Sequence, residues 1–155
     1  MIDALEYSKR AREYFTNGYN CSQAVAGAFA DLMDVDLATV VRMASSFGGG
    51  MGRMRLVCGC VSGMYMVLGY LYGYDDPKEY DNKSLLYKRV QDLAASFKED
   101  NGSIICAELL GQEGADKGHA PSKRDQAYYK KRPCPELVEY SARLLADYIN
   151  DHPYK

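Results

Sequence analysis

Leu56-Val57-Cys58-Gly59-Cys60-Val61-Ser62-Gly63-Met64-Tyr65-Met66-Val67-Leu68-Gly69-Tyr70-Leu71-Tyr72-Gly73-Tyr74 runs without a single charged side chain. A helix of that length could cross a bilayer. Four glycines and four tyrosines are spread along it, however, so hydroxyls would sit throughout the span and not only in an interfacial belt. A helix that is apolar all round also occupies the centre of a soluble bundle. The stretch therefore predicts a buried helix over Cys58–Tyr72 and no membrane span.

Working outward, the flanking sequence is helical on both sides. Leu137, Tyr140, Ser141, Leu144, Leu145, Tyr148 and Ile149 follow the i, i+3, i+4, i+7 spacing, which predicts an amphipathic helix over Pro135–Asn150 with the proline in its first turn. Leu86, Val90, Leu93 and Phe97 mark a helix over Tyr80–Glu99, stopped by Asn101-Gly102. Ser103 caps a short helix reaching Leu110-Gly111. Before the central stretch, Leu5–Phe15 is helical up to Asn17-Gly18. Asn20 caps a helix from Cys21 to about Asp31, and Asp36 caps Leu37–Ser46. No alternating strand pattern appears. The fold class is all-α, a bundle of about seven helices around the one that starts near Cys58. Gly48-Gly49-Gly50-Met51-Gly52-Arg53 reads as a glycine-rich turn into that helix, and Gly111–Arg132 as a long polar loop of the kind that carries function.

The chain has 155 residues, which fits one domain over 1–155. Hydrophobic residues make up 47% and charged residues 26%, a globular balance that excludes a disordered or fibrous chain. A net charge of −2 implies no nucleic acid and no anionic membrane as partner. The first residues lack the basic start and apolar run of a signal peptide, so the expected location is cytoplasmic, where thiols are kept reduced. Five cysteines are too few for a disulfide scaffold, and an odd number cannot all pair within one chain.

The placement of those cysteines points to chemistry. Cys21 follows the cap Asn20, Cys58 follows the glycine turn, Cys106 lies just after Ser103, and Cys134 precedes Pro135. All four fall at predicted helix starts, where unpaired N–H groups and the positive end of the helix dipole stabilise a thiolate. Thiolate is the form that attacks disulfides and binds metals. Cys60, two residues from Cys58 and so on another helix face, reads as the inert member. Gly59 and Gly63 let a second helix approach the central one closely, which would bring another helix start, that of Cys21, toward Cys58.

The blocks Gly18-Tyr19-Asn20-Cys21-Ser22-Gln23-Ala24-Val25, Phe47-Gly48-Gly49-Gly50-Met51-Gly52-Arg53, Cys58-Gly59-Cys60-Val61-Ser62-Gly63, Cys106-Ala107-Glu108-Leu109-Leu110-Gly111 and Cys134-Pro135-Glu136-Leu137-Val138 resemble, in order, the C-GCAxxG-C-C family. The resemblance spans nearly the whole chain. It implies a redox role carried by Cys21, Cys58 (with Gly59 and Gly63), Cys106 and Cys134. The chain departs from the pattern at Cys60, which stands where the central motif usually has alanine.

The surroundings of the thiols suggest binding groups. Backbone N–H groups of Gly48, Gly49 and Gly50, with Arg53 or Arg55, form a candidate anion nest. Lys123, Arg124, Lys130, Lys131 and Arg132 form a basic cluster that could lower the Cys134 thiol. His119 and His152 lack ligand spacing and read as solvated. Three functions remain. In the first, thiol–disulfide exchange, Cys58 attacks, Cys21 resolves, and Cys106 with Cys134 forms a second pair, acting on a redox partner protein or a small thiol or disulfide substrate. In the second, Cys21, Cys58, Cys106 and Cys134 ligate zinc or an iron–sulfur cluster. In the third, the cysteines only pack within a non-catalytic helical adaptor. The sequence leaves open whether the chain forms a homo-oligomer.

Overall fold

The structure, a computed structural model, describes residues 1–114 and 118–154. Eight α-helices, two short 3-10 turns (Ala30–Leu32 and Ser45–Phe47) and no strands account for the regular elements among these residues, the helices being α1 Ala4–Thr16, α2 Cys21–Ala28, α3 Leu37–Ala44, α4 Gly59–Tyr72, α5 Tyr80–Asn101, α6 Cys106–Gly114, α7 Gln126–Lys131 and α8 Cys134–Asp151. No helix among them is long and apolar enough to cross a membrane. The all-α expectation holds, with one helix more than the spacing suggested. The addition is α7, inside the segment read as loop, started by Asp125, whose carboxylate accepts from Tyr128 N at 2.9 Å. Residues 115–117 of that expected loop lie outside the described residues.

The core is built where the uncharged stretch falls. α4 is buried from Gly59 to Met64 and again at Val67 and Leu68, then emerges at Gly69 and Tyr70. Its apolar surface therefore marks a buried first half, not a helix enclosed from end to end. α2 lies across it, α1 packs on α2 and runs along α8, and α5 covers another side of α4. The α2–α4 contact depends on small residues, as the sequence suggested. A Cβ on Gly63 would lie 2.9 Å from Ser22 O, and one on Gly59 would lie 3.0 Å from Ser22 N and 3.1 Å from Cys21 Cβ. Only glycine lets the two backbones approach this closely.

The segment between α3 and α4 is the irregular part of the fold. Gly49, Gly50 and Gly52 are left-handed (φ 65°, 71° and 60°), and so are the non-glycine residues Met51, Arg53 and Arg55 (φ 67°, 63° and 60°). Left-handed backbone at three side-chain-bearing residues stores strain, held by tertiary bonds. Arg55 N and Leu56 N donate to Gly49 O and Gly50 O at 3.2 and 2.9 Å. Past this turn the chain pairs briefly with the approach to α6. Val57 and Ile105 form an isolated antiparallel bridge, Cys58 N donates to Ile104 O at 2.8 Å, and Cys106 N donates to Leu56 O at 2.6 Å. Two helix starts are thereby fixed side by side.

Candidate functional site

The cysteines sit at helix starts as the sequence indicated. Cys21, Cys106 and Cys134 are the first residues of α2, α6 and α8, and Cys58 is the N-cap of α4 with extended backbone (φ −52°, ψ 135°), so the central helix begins one residue later than expected. Each start has a local cause. Asn20 accepts from Gln23 N at 2.9 Å while Gln23 Oε1 accepts from Asn20 N at 3.0 Å, a reciprocal cap that fixes Cys21. Ser103 Oγ accepts from Ile105 N at 2.9 Å just ahead of Cys106, and Pro135 occupies the first turn behind Cys134.

Folding gathers all five sulfurs. Cys21 interacts with both Cys134 and Cys60, and Cys60 with Cys58, so the interactions run in a row: Cys134, Cys21, Cys60, Cys58. Cys106 is coupled electrostatically to Cys21 and Cys58, and Arg55 Nη1 donates to its sulfur at 3.8 Å. All five are free thiols. Four are buried and Cys21 is half-buried, which makes it the most accessible of the set.

The row is electrically asymmetric. Thiol donation from Cys134 and Cys60, reinforced by the charge of Arg124, holds the Cys21 thiol well below its ordinary value. The donors are displaced the other way. Cys134 is pushed far up, first by its bond to Cys21 and then by burial. Cys60 is pushed up chiefly by burial and also by its bonds to Cys21 and Cys58. Burial raises Cys106 as well, against the opposing effect of Arg55. Cys21 is therefore the thiol of the group that is held down, while Cys134 and Cys60 are pushed up.

Cys60, expected to be inert and on another helix face from Cys58, is fully buried and interacts with both Cys21 and Cys58; since Cys58 lies outside the helix, helical face rules do not separate the two. Cys134 interacts first with Cys21, and through charge with Cys58 and Cys106. The basic cluster acts through Arg124 on Cys21, while Cys134 is raised. Lys130 and Lys131 contribute side chains outside the described residues. Among the described residues, no group of three or more His, Cys, Asp or Glu side chains is placed to hold a metal ion.

A family model described as "Putative redox-active protein (C_GCAxxG_C_C)" matches residues 19–148. The chain belongs to the C-GCAxxG-C-C family. That span takes in every member of the cysteine row and Cys106. No curated protein and no solved structure matches the chain. Within this family member, a cavity of about 280 Å³ is lined by Asn20, the residue before Cys21, and by Arg124, whose charge acts on the Cys21 thiol. Gly48, Gly49 and Arg53 of the expected anion nest line the cavity, whereas Gly50 faces inward, where a Cβ would lie 2.6 Å from Cys106 Cβ. Arg53 Nη1 donates to Gly118 O at 2.7 Å and also to Ala120 O, and its Nη2 donates to Ser122 Oγ at 3.2 Å, so it pins the 118–122 segment over the turn. His119 is exposed at the edge of the cavity, in keeping with the solvated reading, whereas His152 is half-buried and stacks on Tyr148 with ring centroids 3.9 Å apart. The basic residues around Lys123–Arg132 were the sequence signal for this wall. The burial of Arg55 had none.

Proposed function

We propose that this protein performs thiol–disulfide exchange, with Cys21 as the attacking thiolate and Cys134 as the resolving thiol. What supports it is that Cys21, half-buried where the other thiols are buried, is held well below its ordinary value by Cys134 and Cys60, while Cys134 is pushed far up. Cys21 S⁻ attacks one sulfur of a substrate disulfide R–S–S–R′, the S–S bond breaks, and R′–S⁻ leaves as a mixed disulfide forms on Cys21. The Cys134 proton passes to the departing thiolate. Cys134 S⁻ then attacks Cys21 Sγ, a Cys21–Cys134 bond forms, and R–S⁻ leaves. The substrate gains two electrons and the protein loses two. A dithiol redox partner protein returns them. Cys60, on the other side of Cys21, offers a second acceptor that can carry the disulfide inward toward Cys58. This assignment replaces the attacker role that its glycine turn suggested for Cys58.

The experiment is alkylation with iodoacetamide across pH, read residue by residue by mass spectrometry. Cys21 reacts with a midpoint below the ordinary thiol value of about 8.5, and Cys134→Ala shifts that midpoint upward by removing the donor altogether. A Cys21 midpoint at the ordinary value in the unaltered protein sinks the proposal.

A further inference from the structure

Three polar donors without acceptors meet where α2 packs on α4. Of the N–H groups that open α4, Cys58 N donates to Ile104 O at 2.8 Å, and Val61 N and Ser62 N donate to Cys58 O at 2.9 and 3.0 Å. Among the described residues nothing accepts from Gly59 N or Cys60 N, and no side chain caps the helix. Both residues are buried. The third donor is the Ser22 hydroxyl, fully buried and without a hydrogen-bond partner. Ser22 lies at the same place. A Cβ on Gly59 would lie 3.0 Å from Ser22 N and 3.1 Å from Cys21 Cβ, and one on Gly63 would lie 2.9 Å from Ser22 O and 3.1 Å from Val25 Cβ. Gly59 is thus level with Cys21 and Gly63 with Val25, so the two helices advance together and their starts are side by side. A helical Cβ leans toward the start of its helix, which brings the Ser22 hydroxyl toward the end shared by Cys21, Gly59 and Cys60. Buried donors are nearly always paired, so three orphans together point to an acceptor atom from outside the chain.

We propose that this protein also reduces small hydroperoxides, whose oxygen is bound by the Ser22 hydroxyl and the Gly59 and Cys60 N–H groups and attacked by Cys21. The inference rests on Cys21 being the attacking thiolate and adds a second class of substrate. The donor set selects that class. N–H and O–H groups pair well with oxygen and weakly with sulfur, so a departing thiolate gains little from them. A departing hydroxide or alkoxide gains much, because charge develops on an oxygen that the donors already face. No acidic residue stands in the first turn of α2 or α4 to compete for them. Burial restricts the bound group to a few atoms. In the reaction, Cys21 S⁻ attacks the terminal oxygen of R–O–O–H. The O–O bond breaks, Cys21 becomes a sulfenic acid (S–OH), and RO⁻ leaves and takes the Cys134 proton as ROH. Cys134 S⁻ then attacks Cys21 Sγ, the S–O bond breaks, and hydroxide leaves as water with a proton from solvent. The peroxide gains two electrons and the two thiols lose them. The Cys21–Cys134 disulfide that results is the one a dithiol partner reduces in the exchange above.

Hydrogen peroxide, cumene hydroperoxide and bis(2-hydroxyethyl) disulfide are the probes. The readout is the rate at which the free Cys21 thiol disappears from the reduced protein, followed by quenching and mass spectrometry. Hydrogen peroxide consumes Cys21 faster than free cysteine at equal thiolate concentration, by about tenfold or more, as oriented donors give. The bulkier cumene hydroperoxide is slower. In Cys134→Ala protein, which lacks the resolving thiol, dimedone traps the sulfenic acid on Cys21. Ser22→Ala slows the peroxide reaction by about tenfold, the worth of one hydrogen bond, and leaves the disulfide rate unchanged, which also shows that the variant is folded. Ser141→Ala removes the other unpartnered buried hydroxyl, about 10 Å along α8 from Cys134, and changes neither rate. A peroxide rate no faster than that of free cysteine, with the disulfide probe still reacting at Cys21, overturns the peroxide site and leaves the exchange chemistry standing. A Ser22→Ala protein that loses nothing toward peroxide, or loses as much toward the disulfide, overturns the assignment of the donors, as does a like loss in Ser141→Ala. Cys21 inert to both classes of probe overturns the inference through the thiol reading instead.

Discussion

At the scale of single residues, the site depends on positions where a methyl group does not fit. Gly50 is the sharpest. Its φ of 71° is left-handed, and an added Cβ would meet Cys106 Cβ at 2.6 Å, Leu56 N at 2.7 Å and Arg55 Cα at 2.8 Å. Two of those three neighbours are backbone and cannot turn aside. Gly50→Ala therefore combines left-handed strain with overpacking and should cost about 2–4 kcal/mol. Gly102→Ala is the control: it too is left-handed, at φ 92°, but nothing lies within 4 Å of an added Cβ. Its cost is the strain alone, about 1 kcal/mol. Urea unfolding of the two variants separates the terms, and a Gly50→Ala protein no weaker than Gly102→Ala shows that Cys106 does not press on the turn. The same scale explains why Cys60 interacts with Cys58 although only two residues separate them. Face rules apply to residues within one helix, and Cys58 lies just outside it, with extended backbone.

At the scale of elements, the helix starts were legible because their causes are local. Asn20 and Asp36 each announce a helix at the next residue by accepting the N–H three residues ahead, and Asp125 does the same for α7, within the segment read as a loop. The close α2–α4 approach could be read from Gly59 and Gly63. The bridge between Val57 and Ile105 could not, because one residue pair leaves no alternating pattern, yet it sets Cys58 beside Cys106. Which thiols touch was equally hidden, since it depends on how four helix starts are rotated in three dimensions. Asn20 links these levels. Its side chain caps α2, and its Nδ2 donates to Ser45 O at 3.0 Å in the space that Gly48 leaves open. Asn20→Ala removes both and should cost about 1–2 kcal/mol. Asn20→Asp keeps the acceptor and loses the donor, so it should fall between the two in urea midpoint. An alanine variant as stable as the unaltered protein would show that the cap does not hold Cys21 in place.

At the scale of the whole molecule, a buried thiol cluster makes stability depend on pH above neutrality. Cys60, Cys106 and Cys134 are raised in the folded state, while unfolded thiols ionise near 8.5. Above that pH the unfolded chain loses protons that the native state keeps, so stability falls as pH rises, by about 1.4 kcal/mol per pH unit for each thiol held neutral. Cys21 works in the opposite sense. Its folded value is depressed, so its contribution is fully present above the unfolded value and is lost as pH falls through the folded one. Above pH 10 the tyrosines join the downward trend, since burial pushes Tyr72 and Tyr128 up to about 12. The reduced protein should thus be most stable, as far as its thiols decide, at mildly alkaline pH and weaken steeply beyond it. Urea unfolding under reductant at half-unit steps from pH 7 to 10 checks this, with Cys134→Ser expected to remove roughly a third of the alkaline slope, one of three raised thiols. A profile that stays level from 8.5 to 10 means the sulfurs ionise freely in the native state, and then no proton is held between Cys134 and Cys21.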